Sequence, residues 1–185
     1  MQTQSTINGI HLPALEQLAS AVASDPQQRR AGFRVATSWL GGTRSESRVS
    51  GFTLGERSIA REFRVRSDEP LELCGSNTAP NPQELLMAAL NACMLVGYVA
   101  GCAMQGIELQ RVEITTEGEL DLRGFFGLDP QVKPGYERLR YTVRIQGDGT
   151  PEQFRQVHAM VLATSPNRWN LSQPVALDAE LVVVA

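Results

Sequence analysis

The stretch that decides the fold is residues 68–105, DEPLELCGSNTAPNPQELLMAALNACMLVGYVAGCAMQ. It opens as a loop rich in turn-forming residues and continues as an apolar run. Asn81 and Pro82 predict the start of a helix, because asparagine caps helices and proline suits the first helical position. Residues 83 to about 105 are apolar nearly all round, which predicts a central helix buried on most sides. Gly106 is expected to end this helix.

A helix and three strands are predicted before the central helix. Residues 12–24 have apolar side chains at helical spacing. Asp25-Pro26 is expected to end this first helix, because the residue before a proline is pushed out of the α region. Alternating apolar residues bounded by turn formers are typical of strands. Three short strands of an antiparallel meander are predicted on this basis, at residues 32–40, 47–54 and 62–66.

Strands and one more helix are predicted after the central helix. The predicted elements are strands at 109–122 and 138–145, a helix from 150 to about 164, and a strand at 175–184. Ser165-Pro166 is expected to end the helix that begins at residue 150. Runs of strands separated by single helices favour an α+β fold over a parallel βαβ fold. We therefore predict an N-terminal helical extension at residues 1–30 and an α+β domain at residues 31–185.

Composition and motifs argue against several classes of function. The net charge is −3 and no basic patch dominates, which argues against nucleic-acid binding. The apolar run is interrupted by Asn91, Gly97 and Gly101 and lacks basic flanks, so a core helix is favoured over a membrane span. Neither GxGxxG nor GxxxxGK[ST] occurs, and no cofactor is expected.

The chain has three cysteines, Cys74, Cys93 and Cys102, without a CxxC motif or the histidine spacing of a zinc site. This pattern predicts no disulfide framework and no metal site, and it fits a cytoplasmic protein with reduced thiols. Cys93 and Cys102 would lie about half a turn out of phase and about 13 Å apart along one helix, so they cannot form a disulfide. Cys74 remains a candidate resolving thiol, and His11 and His158 are expected at the surface.

Residues 68–93 resemble the signature of the OsmC/Ohr family. The resemblance rests on an Asp-Glu-Pro strand end, a glycine-containing loop, Asn-Pro-x-Glu-Leu-Leu and Ala-x-x-Ala-Cys, which reads ALNAC here. In element order and spacing it extends from about Gly32 to Ala185. It implies an OsmC-like fold, in which antiparallel sheets wrap around a long buried central helix and two chains form an intertwined dimer. The N-terminal helix would then cover the sheet or extend the dimer contact.

The resemblance also implies a chemistry. OsmC/Ohr proteins are thiol peroxidases that reduce organic hydroperoxides. One cysteine attacks the peroxide and becomes a sulfenic acid, and a second cysteine resolves it as a disulfide. An arginine from the first hairpin and a glutamate at the start of the central helix orient and activate the thiolate. Cys93 matches the attacking cysteine and Arg44 best matches the arginine, with Arg48 as a rival.

Two positions depart from the family pattern. Gln83 stands directly after Asn-Pro, where the family has its glutamate. Glu84 follows one place later, about 100° round the helix, and is expected to face elsewhere. Ser165 stands where the family usually has the resolving cysteine, and a serine cannot form a disulfide. Gln83, Glu84 and Ser165 are therefore candidate binding residues beside the candidate catalytic pair, Cys93 and Arg44.

Three hypotheses for function follow. The first is a one-cysteine organic hydroperoxide reductase of the oxidative stress response, in which an external thiol resolves oxidised Cys93. The second is a non-enzymatic OsmC-like homodimer that binds a small ligand and has lost the peroxidase cycle. The third is a transferase or hydrolase that uses Cys93, but no residue is placed to serve as its base.

Overall fold

The structure is a computed structural model that describes residues 5–184. The described chain divides into two compact units, one up to Ala88 and the other from Ala89 onward. The strands are β1 Thr6–Ile7, β2 Ile10–His11, β3 Ala31–Phe33, β4 Ala36–Trp39, β5 Ser45–Leu54, β6 Arg57–Ser67, β7 Leu109–Gly118 and β8 Leu139–Gly147. The α-helices are α1 Leu12–Ser24, α2 Pro82–Met104, α3 Leu122–Phe125, α4 Pro151–Thr164 and α5 Pro166–Ser172.

The first unit begins with the hairpin of β1 and β2, which leads directly into α1. The prediction of this helix is confirmed at both ends. His11 caps it, because its Nδ1 atom accepts a hydrogen bond of 3.3 Å from the backbone N–H of Ala14. Asp25 adopts an extended backbone before Pro26 and ends the helix.

The main sheet of the first unit has β5 at its centre, paired antiparallel with β3, β4 and β6. The antiparallel meander is thus as predicted, but the first predicted strand is interrupted. β4 pairs with residues 45–48 of β5, and β3 pairs with residues 52–54. The gap between them lies where β5 has a register irregularity, between Val49 and Gly51. On the side of β3 and β4, residues 49–51 of β5 lie opposite only residues 34–35, and such an extra residue disrupts a ladder locally.

The second unit packs helices against the antiparallel pair of β7 and β8. Its core consists of buried side chains from α2, α4 and the turn after α2: Leu90, Met94, Tyr98, Cys102, Ile107, Val157 and Val161. Partly buried side chains of both strands pack against this cluster. A capping box between Thr150 and Gln153 starts α4, and this start agrees with the sequence prediction.

Helix α2 buries one face rather than most sides. The buried side chains Leu90, Met94, Tyr98 and Cys102 are spaced four residues apart, whereas Val96 is 64% exposed. Within the described residues, α2 is also the helix that is long and apolar enough to cross a membrane by length and composition. The core helix of a soluble protein meets the same criterion.

The prediction of a strand at residues 175–184 is wrong for this structure. These residues form no strand, and their apolar side chains are exposed, with Leu177 at 91% and Leu181 at 88%. The alternating pattern is present, but a strand also needs a neighbour for its backbone groups, and no described strand pairs with this segment. Before it lies α5, which the sequence analysis did not predict: the chain turns at Ser165 and continues as a helix.

Candidate functional site

Cys93 lies in the fourth turn of α2 and is half-buried. It opens onto a cleft of about 370 Å³ in the second unit. The lining residues come from α2, from the end of α4 and from the turn into α5: Cys93, Val96, Gly97, Val161, Thr164, Ser165 and Pro166. Most of the wall is apolar, which suits the organic part of a small molecule.

Glycines on α2 bring α4 close to the cysteine. A Cβ atom on Gly97 would come within 3.1 Å of Val161, and one on Gly101 would come within 3.0 Å of Val157. The absence of side chains at these two positions therefore allows the close approach of α2 and α4. Because the two helices are in contact, the C-terminal end of α4 and its next residue, Ser165, lie beside α2.

Ser165 is the residue that the structure places against Cys93. Its hydroxyl Oγ lies 3.4 Å from the Cys93 Sγ atom, and its side chain is buried. Asn167 anchors the same turn, because its Nδ2 atom donates a 2.8 Å hydrogen bond to the Ala89 carbonyl, one helical turn before Cys93. A hydroxyl in this position can donate a hydrogen bond to a thiolate and so favour the charged form.

The other two cysteines differ from Cys93, and all three are free thiols. Cys102 is fully buried in the core of the second unit, and this burial raises the pKa of its thiol. A buried thiol with a raised pKa is a poor nucleophile. Cys74 is exposed and belongs to the first unit, where it ends a short turn with a left-handed backbone, φ +63°.

Arg44 also belongs to the first unit, in the turn between β4 and β5. Its guanidinium group donates hydrogen bonds to the carbonyls of Gly41 and Leu40, at 3.3 and 3.4 Å. The turn depends on glycine, since Gly41 and Gly42 have φ values of +96° and +59°. Arg44 forms no ion pair within the described residues, so its positive charge is not neutralised locally.

Arg48, the rival of Arg44, is engaged elsewhere. It forms an ion pair of 3.3 Å with Glu46, a buried residue that also pairs with Arg64 and Arg66. Burial opposes ionisation of Glu46, but hydrogen bonds from Arg48 and Arg66 hold the pKa of its carboxyl below the ordinary value. Arg48 is thus part of a charge network on the face of the sheet.

Glu84 serves the start of α2. Its Oε2 atom accepts a 2.8 Å hydrogen bond from the Asn81 N–H, and the Asn81 side chain accepts one of 2.8 Å from the Glu84 N–H. This reciprocal pair is a capping box, so the predicted cap at Asn81 is confirmed. Gln83 lies half-buried in the same first turn.

Asp68 was missed as a site candidate. It is fully buried directly after β6, and its carboxylate accepts hydrogen bonds from the hydroxyls of Thr43 and Thr78. The Asp-Glu-Pro pattern in which it stands indicates by itself only the end of a strand. The signal that could have identified it is an aspartate followed within ten residues by serine and threonine in a glycine-containing loop, since such carboxylates anchor loops.

Both histidines are exposed, as expected from the sequence. His158 is exposed on α4, but its Nδ1 atom lies 2.5 Å from the hydroxyl of buried Tyr98. Burial raises the pKa of Tyr98 to about 12, so its hydroxyl stays protonated at neutral pH. Both residues line a second cleft of about 390 Å³ in the second unit. No group of three or more metal-ligating side chains occurs among residues 5–184.

Comparison with known proteins identifies the family. The family model described as OsmC-like protein matches residues 75–180. The chain belongs to the OsmC-like protein family. The matched range of this OsmC-like protein includes Gln83, Cys93 and Ser165, whereas Arg44 and Asp68 precede it.

Solved structures show the same fold at low sequence identity. The OsmC-like protein from Mycoplasma pneumoniae is 12% identical, with 76% of this chain and 86% of that chain covered and a TM-score of 0.59. An OsmC-like protein of unknown function from Vibrio cholerae O1 biovar eltor is 13% identical, with 74% and 90% covered and a TM-score of 0.51. At such identities the likeness concerns the fold. No curated protein matches the chain.

Proposed function

We propose that this OsmC-like protein is a one-cysteine, thiol-dependent reductase of organic hydroperoxides that acts in the oxidative stress response. The observation that carries the proposal is the surroundings of Cys93. Its half-buried sulfur opens onto a largely apolar cleft, with the Ser165 hydroxyl 3.4 Å away. Thiolate character and access govern the oxidation of a cysteine, and this sulfur has a hydrogen-bond donor and an open side.

The reaction balances with two equivalents of external thiol. The Cys93 thiolate attacks one peroxide oxygen, so an S–O bond forms, the O–O bond breaks and the alkoxide leaves as an alcohol after taking a proton. A first external thiol attacks the resulting sulfenic acid, forms a mixed disulfide and releases water. A second thiol displaces Cys93 as the free thiol and leaves with the first as a disulfide. The hydroperoxide is reduced by two electrons that come from the two thiols.

An external thiol is invoked because the cleft offers no second sulfur. Cys93 is the one sulfur-bearing residue among those that line it in the described part of the chain. Cys102 is buried in the core, and Cys74 is not among the residues that line the cleft. The cleft beside Cys93 is large enough for a small dithiol to enter, since its volume is about 370 Å³.

Arg44 is proposed as the cation that favours the Cys93 thiolate. The support is its match to the family arginine and its guanidinium group, which bonds two carbonyls of its own turn but no carboxylate among the described residues. Gln83 and Glu84 are proposed to contribute to substrate binding indirectly, by shaping the first turn of α2. Glu84 is held in the capping box and is therefore not free to contact the substrate.

The functional form is proposed to be a cytoplasmic intertwined homodimer, with pockets built from both chains. Two features support this assembly. Residues 175–184 alternate apolar side chains and leave them exposed, and within residues 5–184 the sheet of β7 and β8 has two strands. Isolated two-stranded sheets and exposed alternating segments both gain stability by adding a strand. A folded monomer at micromolar concentration in sedimentation velocity would argue directly against the dimer.

Consumption of cumene hydroperoxide with dithiothreitol as reductant tests the proposed activity. We expect the wild-type protein to consume peroxide faster than dithiothreitol alone, and Cys93→Ser to fall to that background. Cys74→Ser is the matched control, since it also removes an accessible thiol but should keep the rate. If the wild-type protein does not exceed the background, the reductase is excluded, and the non-enzymatic ligand-binding dimer becomes the better hypothesis.

A further inference from the structure

Asp68 makes a set of hydrogen bonds that joins two distant segments of the first unit. Its Oδ1 atom accepts from the Thr43 hydroxyl at 2.6 Å, the Glu69 N–H at 2.9 Å and the Ser76 N–H at 3.4 Å. Its Oδ2 atom accepts from the N–H and the hydroxyl of Thr78, at 3.0 and 2.8 Å. The residue is fully buried. A buried carboxylate is tolerated only when its oxygens are satisfied, and here both are.

The donors to Asp68 are hydroxyls and backbone N–H groups, and it forms no ion pair among the described residues. The hydrogen bond from Thr43 is the largest of the causes that hold the pKa of Asp68 well below its usual range. The carboxylate is therefore charged at neutral pH, and its charge is stabilised by these neutral donors alone. Loss of one donor leaves the buried carboxylate less well satisfied. We therefore expect the segment that carried the donor to be held less firmly against Asp68.

The two joined segments are those that carry the candidate chemistry of the first unit. Thr43 immediately precedes Arg44 in the turn after β4. Thr78 lies in the loop that leads into α2, three residues before the cap Asn81. The Asp68 N–H also donates to the carbonyl of Pro80, at 3.3 Å. A single side chain thus ties the arginine turn to the chain just before the cysteine-bearing helix.

We propose that Asp68 is a positioning residue for Arg44. It fixes the arginine turn, through the Thr43 hydroxyl, against the loop that starts α2. This inference rests on the proposed reductase function. Neither Asp68 nor Thr43 needs to touch the hydroperoxide, since their effect passes through the placement of the guanidinium group. A misplacement of about 1 Å from a change far from the reacting atoms can cost about 100-fold in rate.

The test is a double-mutant cycle between Thr43 and Arg44 in the Cys74→Ser protein. Thr43→Val removes the donor with little change in shape, and Arg44→Ala removes the guanidinium group. The measurement is single-turnover oxidation of Cys93 by cumene hydroperoxide, followed by mass spectrometry so that slow variants remain measurable. We expect Thr43→Val to slow oxidation between about tenfold and about 100-fold when Arg44 is present, and to have no further effect in Arg44→Ala.

Two variants distinguish positioning from a general loss of structure. Thr43→Ser keeps the hydroxyl and should restore the rate to within about twofold of the parent. Thr37→Val removes the 2.8 Å hydrogen bond between the hydroxyls of Thr37 on β4 and Ser47 on β5, neither of which bonds to Asp68, and should leave the rate unchanged. Thermal unfolding of each variant monitors folding.

Each outcome bears on a different claim. If Thr43→Val slows oxidation by the same factor with and without Arg44, Asp68 does not act through Arg44 and the positioning role is wrong, while the reductase function stands. If the starting protein reduces no hydroperoxide at all, the proposed function fails and takes the positioning role with it. If Thr43→Val slows oxidation only in proteins that keep Arg44, and Thr43→Ser retains the rate, both the positioning role and the reductase function are supported.

Discussion

Two thiols on one helix, Cys93 and Cys102, have opposite surroundings. Cys93 is half-buried and opens onto a cleft, with the Ser165 hydroxyl 3.4 Å from its sulfur. Cys102 is fully buried in the core cluster of the second unit, where burial raises the pKa of its thiol. On the same helix, Cys93 therefore lines a cleft, whereas Cys102, about two and a half turns later, packs in the core.

The difference comes from what lies opposite each thiol. Cys102 continues the buried stripe of Leu90, Met94 and Tyr98, each four residues apart, and so faces the core. Cys93 falls outside that stripe and meets the turn that ends α4, where a polar residue, Ser165, faces it. Helical phase thus decides which thiol is accessible, and the adjoining turn decides what can assist it.

Accessibility gives the largest expected contrast. We expect iodoacetamide to modify Cys93 in the folded protein, and Cys102 only after an opening of the core. Opening of a core commonly costs about 5 kcal/mol or more, so Cys102 should react at least about 1,000-fold more slowly. Peptide mass spectrometry of samples quenched over time would give both rates, and urea-unfolded protein provides the matched reference. If iodoacetamide modified Cys93 and Cys102 at comparable rates in the folded protein, the two thiols would not differ in accessibility as the structure indicates.

A second sulfur at position 165 should change the product of Cys93 oxidation from a sulfinic acid to a disulfide. In Ser165→Cys, the new sulfur replaces an oxygen that lies 3.4 Å from the Cys93 sulfur, and a disulfide needs about 2.0 Å, so a small adjustment suffices. We expect one equivalent of cumene hydroperoxide to produce an intramolecular disulfide between Cys93 and the introduced cysteine, with the loss of two free thiols. In the wild-type protein, excess peroxide should instead drive Cys93 on to the sulfinic acid.

The control for this conversion is Ser165→Ala, which removes the hydroxyl without adding a sulfur. It should accumulate the sulfinic acid as the wild-type protein does. If Ser165→Cys also over-oxidises and keeps both thiols unpaired, the two side chains do not face each other in solution as they do in the structure.

Parts of this arrangement could be predicted because local signals decide them. Asp25-Pro26 and Asn81 fixed one end of α1 and the start of α2, since proline geometry and side-chain caps act within a few residues. The match of Ser165 to the resolving position came from the family pattern. The structure then placed its hydroxyl beside Cys93.

Other parts depend on neighbours that the sequence does not specify. The segment at residues 175–184 has the alternation of a strand, but strand formation needs a partner edge. Asp68 belongs to the segment that indicated the family, yet its partner Thr43 lies 25 residues away, so only the structure shows the link. Contacts over such separations follow from the fold rather than from local composition.

Substitution of each thiol by serine should sharpen the contrast in stability. Cys102→Ser places a hydroxyl in the core cluster, and a buried polar group without a partner costs about 1–3 kcal/mol. Cys93→Ser changes a half-buried atom beside a hydroxyl and should alter the free energy of unfolding by no more than about 0.5 kcal/mol. Urea unfolding measures both values. A larger loss for Cys93→Ser than for Cys102→Ser would reverse the assignment of core and cleft.

The smallest expected effect isolates the hydroxyl that faces Cys93. Ser165→Ala removes a donor to the thiolate, and a net hydrogen bond contributes about 0.5–1.5 kcal/mol, so iodoacetamide should modify Cys93 about twofold to tenfold more slowly at neutral pH. Ser165→Thr keeps the hydroxyl and is the matched variant, expected to retain a rate closer to that of the parent. The slow modification of Cys102 should stay unchanged in both variants, because its burial does not involve Ser165. If Ser165→Ala accelerates modification of Cys93, the hydroxyl acts mainly as a steric cover over the sulfur, and the assistance to the thiolate must come from elsewhere.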